Sequence, residues 1–283
     1  MNRTIVRSFV AASMALIAFM VIVESVGLAD ATPAVPPDDP CGDSDLLATT
    51  DRPTFGTNPC TVKPGAAFVE FGYRNTVTSG PLGGTASSVP QNRDRAGIVP
   101  RVEFVLDTPS AVTATSAGSR ASGSSDLGTG LKYEIGYFHG LVHGIAAEVV
   151  YPTAGTPFSN GKPSFDESYQ IGGGIVKNVG FNLTLGVDTF SSPNPGGGRE
   201  VTTSAFQPTL VLGCAIAPRT KLNVELANSS SSGPGTSGRY DGNVFVQHAF
   251  TDDLLLDVEA AERFTIVNGT HEHYVGFGGS IRL

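Results

Sequence analysis

Between Ser125 and Gly155 the chain reads SDLGTGLKYEIGYFHGLVHGIAAEVVYPTAG, two runs that alternate apolar and polar residues around a short turn. In the first, Leu131, Tyr133, Ile135 and Tyr137 fall on one face, and Lys132 and Glu134 on the other. In the second, Ile145, Ala147, Val149 and Tyr151 oppose Ala146, Glu148 and Val150. Successive side chains of a strand point to opposite faces, so a period of two over this length predicts strands with one apolar and one polar side. Runs of roughly ten residues have the length a tilted strand needs to cross a bilayer. The repetition of this plan along the chain narrows its possible folds more than any other feature.

The same alternation recurs in Ala66–Thr76, Arg101–Asp107, Ser168–Lys177, Phe181–Phe190, Ser204–Ile216, Lys221–Asn228, Arg239–Phe250, Asp253–Phe264 and His271–Leu283, and more weakly in Asn92–Ile98. With the hairpin this makes twelve strands. The connections alternate long and short. Long polar segments run to about Pro90, after Asp107, beyond Pro152, through Pro193 and Pro195, and over Ser229–Gly238. Tight turns fall at Val99-Pro100, Phe138–Val142, Asn178–Gly180, Ala217–Thr220 and Thr251-Asp252. The expected fold is therefore all-β: a transmembrane antiparallel β-barrel of about twelve strands over residues 66–283, with short periplasmic turns and long external loops. Pro208 lies inside one run and lacks an N–H for the ladder, which predicts a bulge there or a strand that begins nearer Thr209.

The N-terminus fits that destination. Arg3 and Arg7, an uncharged apolar run from Phe9 to Val23 and Ala29-Asp30-Ala31 make a cleavable secretory signal over residues 1–31. Residues 32–65 begin with Pro33, Pro36, Pro37, Asp38, Asp39 and Pro40, and read as an extended periplasmic segment ahead of the barrel. Export permits disulfides. Cys41 and Cys60 flank a polar stretch with little core of its own, where a bridge is worth about 3 kcal/mol by loop closure. Cys214 sits on the apolar face of its run as a small hydrophobe. A net charge of −8 argues against a nucleic-acid partner. Mean hydropathy of +0.04 is what strict alternation produces.

From Asp51 onward the chain resembles the outer-membrane barrels associated with the meta-pathway of phenol degradation. The resemblance rests on Asp51-Arg52-Pro53, Pro64-Gly65, Glu70-Phe71-Gly72-Tyr73, Gly130-Leu131-Lys132-Tyr133 and Pro152-Thr153-Ala154-Gly155. It implies an outer-membrane barrel, set among outer-membrane lipid, that passes small or hydrophobic molecules. The last strand also resembles the terminal strand by which the outer-membrane barrel assembly machinery recognises its clients, although Leu283 stands where an aromatic residue is usual.

If the apolar faces meet lipid, the alternate faces line the lumen. They carry Glu70, Glu103, Glu134, Glu148, Asp188, Glu225, Asp257 and Glu259 against Arg74, Arg101, Lys132, Arg263 and Arg282. This excess of acidic groups predicts a pore with a mild preference for cations; pairing across neighbouring strands would instead fill the interior. Twelve strands lie between filled small barrels and open porins, so a narrow, partly plugged lumen is expected. His271 and His273 share a face, but Glu272 points the other way, and two ligands do not make a metal site. His139 and His143 flank a short turn and carry no more weight. Gly172–Gly174 follows no phosphate-binding pattern and reads as a small-residue wall. No G-x-S-x-G occurs and no catalytic grouping is suggested by spacing, so no enzyme and no cofactor are expected. The alternative to a channel is a non-conducting surface barrel that acts through its loops, as an adhesin, receptor or structural protein.

Overall fold

A computed structural model of the chain describes Cys41 and residues 46–80, 83–116, 118–159, 161–192, 201–231, 238–265 and 270–283. The expected signal at 1–31 and the Pro/Asp-rich start of the following segment lie outside the described residues. Among the described residues one short helix, α1 (Leu46–Thr49), precedes fifteen strands in a single sheet. They are β1 (Ala67–Ser79), β2 (Gly84–Val89), β3 (Asn92–Val99), β4 (Val102–Thr108), β5 (Ala111–Ser116), β6 (Ser119–Ser124), β7 (Leu127–Phe138) and β8 (Leu141–Tyr151). The second half adds β9 (Ser164–Val176), β10 (Val179–Ser192), β11 (Val201–Ala217), β12 (Thr220–Ser231), β13 (Arg239–Ala249), β14 (Leu254–Thr265) and β15 (His271–Arg282).

The pairs β2–β3, β4–β5 and β6–β7 each follow one another along a single stave, which leaves twelve staves. β15 pairs antiparallel with β1 along its whole length, from Phe68↔Arg282 to Ser79↔His271, and closes the barrel. Closure matters because every backbone group in a bilayer must find its partner within the wall. The short turns suit the right-handed twist by using left-handed residues: Arg101, His139, Asn178 and Arg219 all have positive φ.

Burial is inverted relative to a water-soluble protein. Outward-facing Leu131, Val258, Val275 and Phe277 are 53–59% exposed, whereas Glu70, Glu103 and Glu225 are completely buried. A soluble sandwich would not place its apolar face outside and its carboxylates within. The outer wall is the surface a membrane covers.

Three expectations change. The connections after β1 and β4 are not long loops. Residues 84–89 form β2, and β5 and β6 form a hairpin, so these staves continue as paired β-structure past residues 90, 109 and 126. The staves break at one level, at Pro90, Pro109 and Ser125-Asp126, and keep their register across the break between β3–β4 and β2–β5. Prolines there cost no ladder bond because the backbone is already leaving it. Second, Pro208 neither bulges nor starts its strand. β11 runs continuously from Val201, and its ladder with β12 pairs Phe206 with Ser230 and Thr209 with Ala227, with Gln207 and Pro208 left unpaired between them in unchanged register. Third, the boundary at residue 65 does not separate a periplasmic segment from the barrel, because residues 46–62 lie inside it.

The inverted surface yields a gradient. Phe277→Arg, on the lipid face at the middle of β15, is expected to destabilise the folded barrel by about 2–4 kcal/mol, and Val77→Arg, nearer the loop end, by about 0–1 kcal/mol. Denaturant unfolding in liposomes measures both; equal costs would count against a lipid-facing wall.

Candidate functional site: the plugged lumen

The interior holds a plug. At the end that carries the C-terminus and the short turns, α1 packs through Leu46 on Val62, Phe68 and Leu255. Cys41 and Cys60 are joined by a disulfide that closes a 19-residue separation. Beyond α1 the backbone is irregular, so its N–H groups have no ladder to join and must find acceptors in the wall.

Those acceptors are carboxylates on the inner face. Glu70 accepts from the Asp51 N–H at 3.1 Å and the Arg52 N–H at 2.8 Å. Glu225 accepts from Phe55 at 2.7 Å and Gly56 at 3.2 Å. Glu103 takes the Val62 N–H at 2.7 Å, and Glu134 takes both the N–H and the hydroxyl of Thr61. In the other direction, Gln247 Nε2 donates to the Arg52 carbonyl at 2.7 Å and the Thr184 hydroxyl to that of Thr57. The plug is held by hydrogen bonds to four strands' carboxylates more than by apolar packing.

Buried cations balance Glu70 and Glu103 among them. Arg95 of β3 forks onto Glu103 at 2.8 and 2.9 Å, reaches Glu70 at 3.0 Å and Asp51 at 3.5 Å, and donates to the carbonyls of Thr49 and Cys60. Lys132 lies 3.4 Å from Asp51 and 3.5 Å from Glu103. Arg52 of the plug pairs with Asp257 at 3.2 Å. Nearer the loop end, Arg74 holds Glu259 at 3.1 Å and stands 5.7 Å above the Phe55 ring, which also meets Tyr274 edge-on at 6.0 Å. Pro59 presses on the β8–β9 wall, where a side chain at Gly144 or Gly172 would come within 2.9 Å of it. The glycine-rich wall is the space the plug occupies.

Most of the residues expected to line a pore therefore face inward, but Glu70, Glu103, Glu134, Glu225 and Asp257 contact the plug, and Lys132 its Asp51. Glu148 joins Arg93 at 2.6 Å, and Asp188 accepts from Gln207. Arg263 pairs with Asp241 and with Glu272 at 3.1 Å. Two expectations fail. Arg101 is a turn residue whose side chain is 52% exposed and 3.9 Å from Glu134, because a left-handed turn position turns it away from the lumen. Arg282 sits at the rim with Asp253, 2.7 Å away, where the last strand ends. Sequence reasoning missed Arg93, Arg95, Asp51 and Asp241. Arg93 and Arg95 alternate correctly on the inner face, but outward-facing Asp94 hides the pattern.

Two spaces flank the wall at Pro208. A polar cavity of about 70 Å³ lies on the lumen side between Phe55, Arg93, Glu148, Asp166, Gln207 and Thr209. On the membrane side a largely apolar groove of about 730 Å³ runs past Leu183, Pro208, Leu226, Tyr240, Val244 and Phe264. The wall between them is one strand thick, at the two β11 residues that make no ladder bond to β12.

No protein-family model matches the chain, and no curated protein matches it in sequence. Among solved structures it is similar to the COG4313 outer membrane channel from Pseudomonas putida F1, with 14% identity and a TM-score of 0.60 over 83% of this chain and 100% of that one. It is also similar to the translocator domain of the autotransporter NalP from Neisseria meningitidis, with 12% identity and a TM-score of 0.51 over 78% of this chain and 90% of that one. At such identities the likeness concerns the fold, and the fold is that of the outer-membrane β-barrels.

The buried network makes a sharp contrast between two arginines. Arg95→Met leaves Asp51, Glu70 and Glu103 short of a cation and should cost about 3–5 kcal/mol. Arg101→Met, at an exposed turn, should change stability by less than about 0.5 kcal/mol. Thermal unfolding of the detergent-folded barrel compares them, and equal effects would refute the assignment of Arg95 as the hub.

Proposed function

We propose that this chain is an outer-membrane channel that passes small molecules, apolar ones included, through a lateral route in its wall. The observation that carries this reading is the open ladder at Pro208, with a polar cavity on its lumen side and an apolar groove on its membrane side. An apolar solute that leaves the lumen sideways avoids the hydrogen-bonded plug below it and partitions directly into the groove, where burial of its surface is favourable. The polar cavity, bounded by Arg93, Glu148 and Asp166, discriminates by charge at the point of entry. The similarity of fold to the Pseudomonas channel supports the class, and the short-motif resemblance to barrels of the phenol meta-pathway supports a small aromatic solute. No catalytic role is assigned to any lumen side chain. The N-terminus and short turns lie on the periplasmic side in this reading, with the β5–β6 extension outside the cell.

A second reading has its own observation. The β5–β6 hairpin projects a row of Ser and Thr hydroxyls, with Thr85 paired to Thr115 and Thr113 to Ser122, as a surface that a ligand outside the cell can reach. On that reading the barrel is a platform and the lumen stays shut.

The two separate by flux. The register sets Pro208 opposite Asn228, so the double variant Pro208→Cys/Asn228→Cys can be bridged across the gap. Uptake of a small apolar aromatic into proteoliposomes should fall several-fold when the bridge forms and recover on reduction. A correctly folded wild-type barrel with neither solute uptake nor conductance in planar bilayers would overturn the channel reading and leave the platform.

A further inference from the structure

A cluster on the outer wall has no part in the plug and lines the apolar groove at its loop end. Glu262 of β14 stands directly opposite His273 of β15, and His271 shares their face two residues earlier. Glu262 Oε2 is 3.1 Å from His271 Nε2 and Oε1 is 3.2 Å from His273 Nδ1. The two imidazoles are 4.3 Å apart, nearly perpendicular, and all three donor atoms lie within 4.8 Å of one another. The intervening Glu272 faces the lumen, paired with Arg263. The third ligand that the spacing of His271 and His273 lacks comes from the neighbouring strand.

We propose that Glu262, His271 and His273 form a surface site for a divalent transition-metal ion of the zinc type. Four ligands at about 2.0–2.2 Å in tetrahedral array hold their donor atoms about 3.3–3.6 Å apart. The two short contacts end on different oxygens of Glu262, and rotation of its carboxylate and of His273, whose side chain is 51% exposed, brings both imidazoles onto one oxygen. Two imidazoles with one carboxylate select zinc, copper or nickel over the oxygen-loving calcium and magnesium. The positions paired with these residues on the same face, Gly242, Phe264, Val77 and Ser79, bring no competing cation. The strand ladder fixes the Cα positions, so little ordering is required on binding. Water or an external ligand takes the fourth position. A bound ion ties β14 to β15 at their loop ends, and any species that binds the folded barrel alone raises its stability.

The test uses the untagged full chain folded in detergent and titrated calorimetrically with Zn²⁺. About one ion per chain is expected, with affinity at least about tenfold weaker in Glu262→Gln and in His273→Ala, and with no change in His248→Ala. Zn²⁺ should raise the unfolding temperature of the wild type and leave that of the triple variant Glu262→Gln/His271→Ala/His273→Ala unmoved. These are outer-surface substitutions, and the heat-dependent gel mobility of each variant reports whether its barrel has formed. Equal binding by the wild type and the triple variant, or no binding by the wild type at about 1 mM Zn²⁺, would overturn the site.

Discussion

The structure depends on carboxylates that accept backbone N–H groups inside a closed wall. A barrel of twelve staves has an interior too wide for its own side chains to fill with ease. Here an irregular segment fills it, and an irregular segment carries unpaired donors into a space where each costs free energy unless satisfied. Glu70, Glu103, Glu134 and Glu225 meet that requirement, one or two N–H groups each. Burying Glu70 and Glu103 in turn requires cations, and Arg95 and Lys132 follow from that need. The charge pattern of the inner wall is thus a template for the plug before it is a lining for a pore.

The outer wall obeys the opposite chemistry, and the two meet through a single layer of backbone. Because strand side chains alternate, each residue belongs to one solvent or the other, and a defect in the ladder is the simplest way to connect them. Pro208 supplies one without a change of register: the strand keeps both faces correctly assigned on either side of the gap. A bulge would have moved one half of β11 to the wrong face. At the loop end the constraint lapses. The β2, β5 and β6 strands carry Ser, Thr, Ala and Gly on both faces.

That difference explains what could be read from residues alone. The staves within the membrane were legible because one face must be apolar and the other polar, and Leu131/Lys132 or Val258/Glu259 state that plainly. The extensions were not, because Ser, Thr, Ala and Gly on both faces leave no period to find. The inward direction of Glu70, Glu103 and Glu225 was legible, but their partners were not: the plug has no periodicity, and its contacts join residues more than two hundred positions apart. Arg95 was obscured by Asp94 on the outer face, which breaks the expected apolar row. The meeting of Glu262 with two histidines depends on cross-strand register, which no single run contains.

The disulfide lies wholly within the plug, since both Cys41 and Cys60 precede β1. The plug is therefore closed upon itself and joined to the wall by main chain only through residues 63–66. In binding language it is a ligand on a short leash. Its local concentration at the lumen carboxylates is on the order of millimolar or higher. A solute or partner that displaces it competes against that concentration and not against a covalent barrier. Because the bridged loop moves as one piece, displacement releases the wall contacts of Arg52, Phe55 and Thr57 together. Vacating the lumen is then a cooperative dissociation whose reversal needs no diffusion.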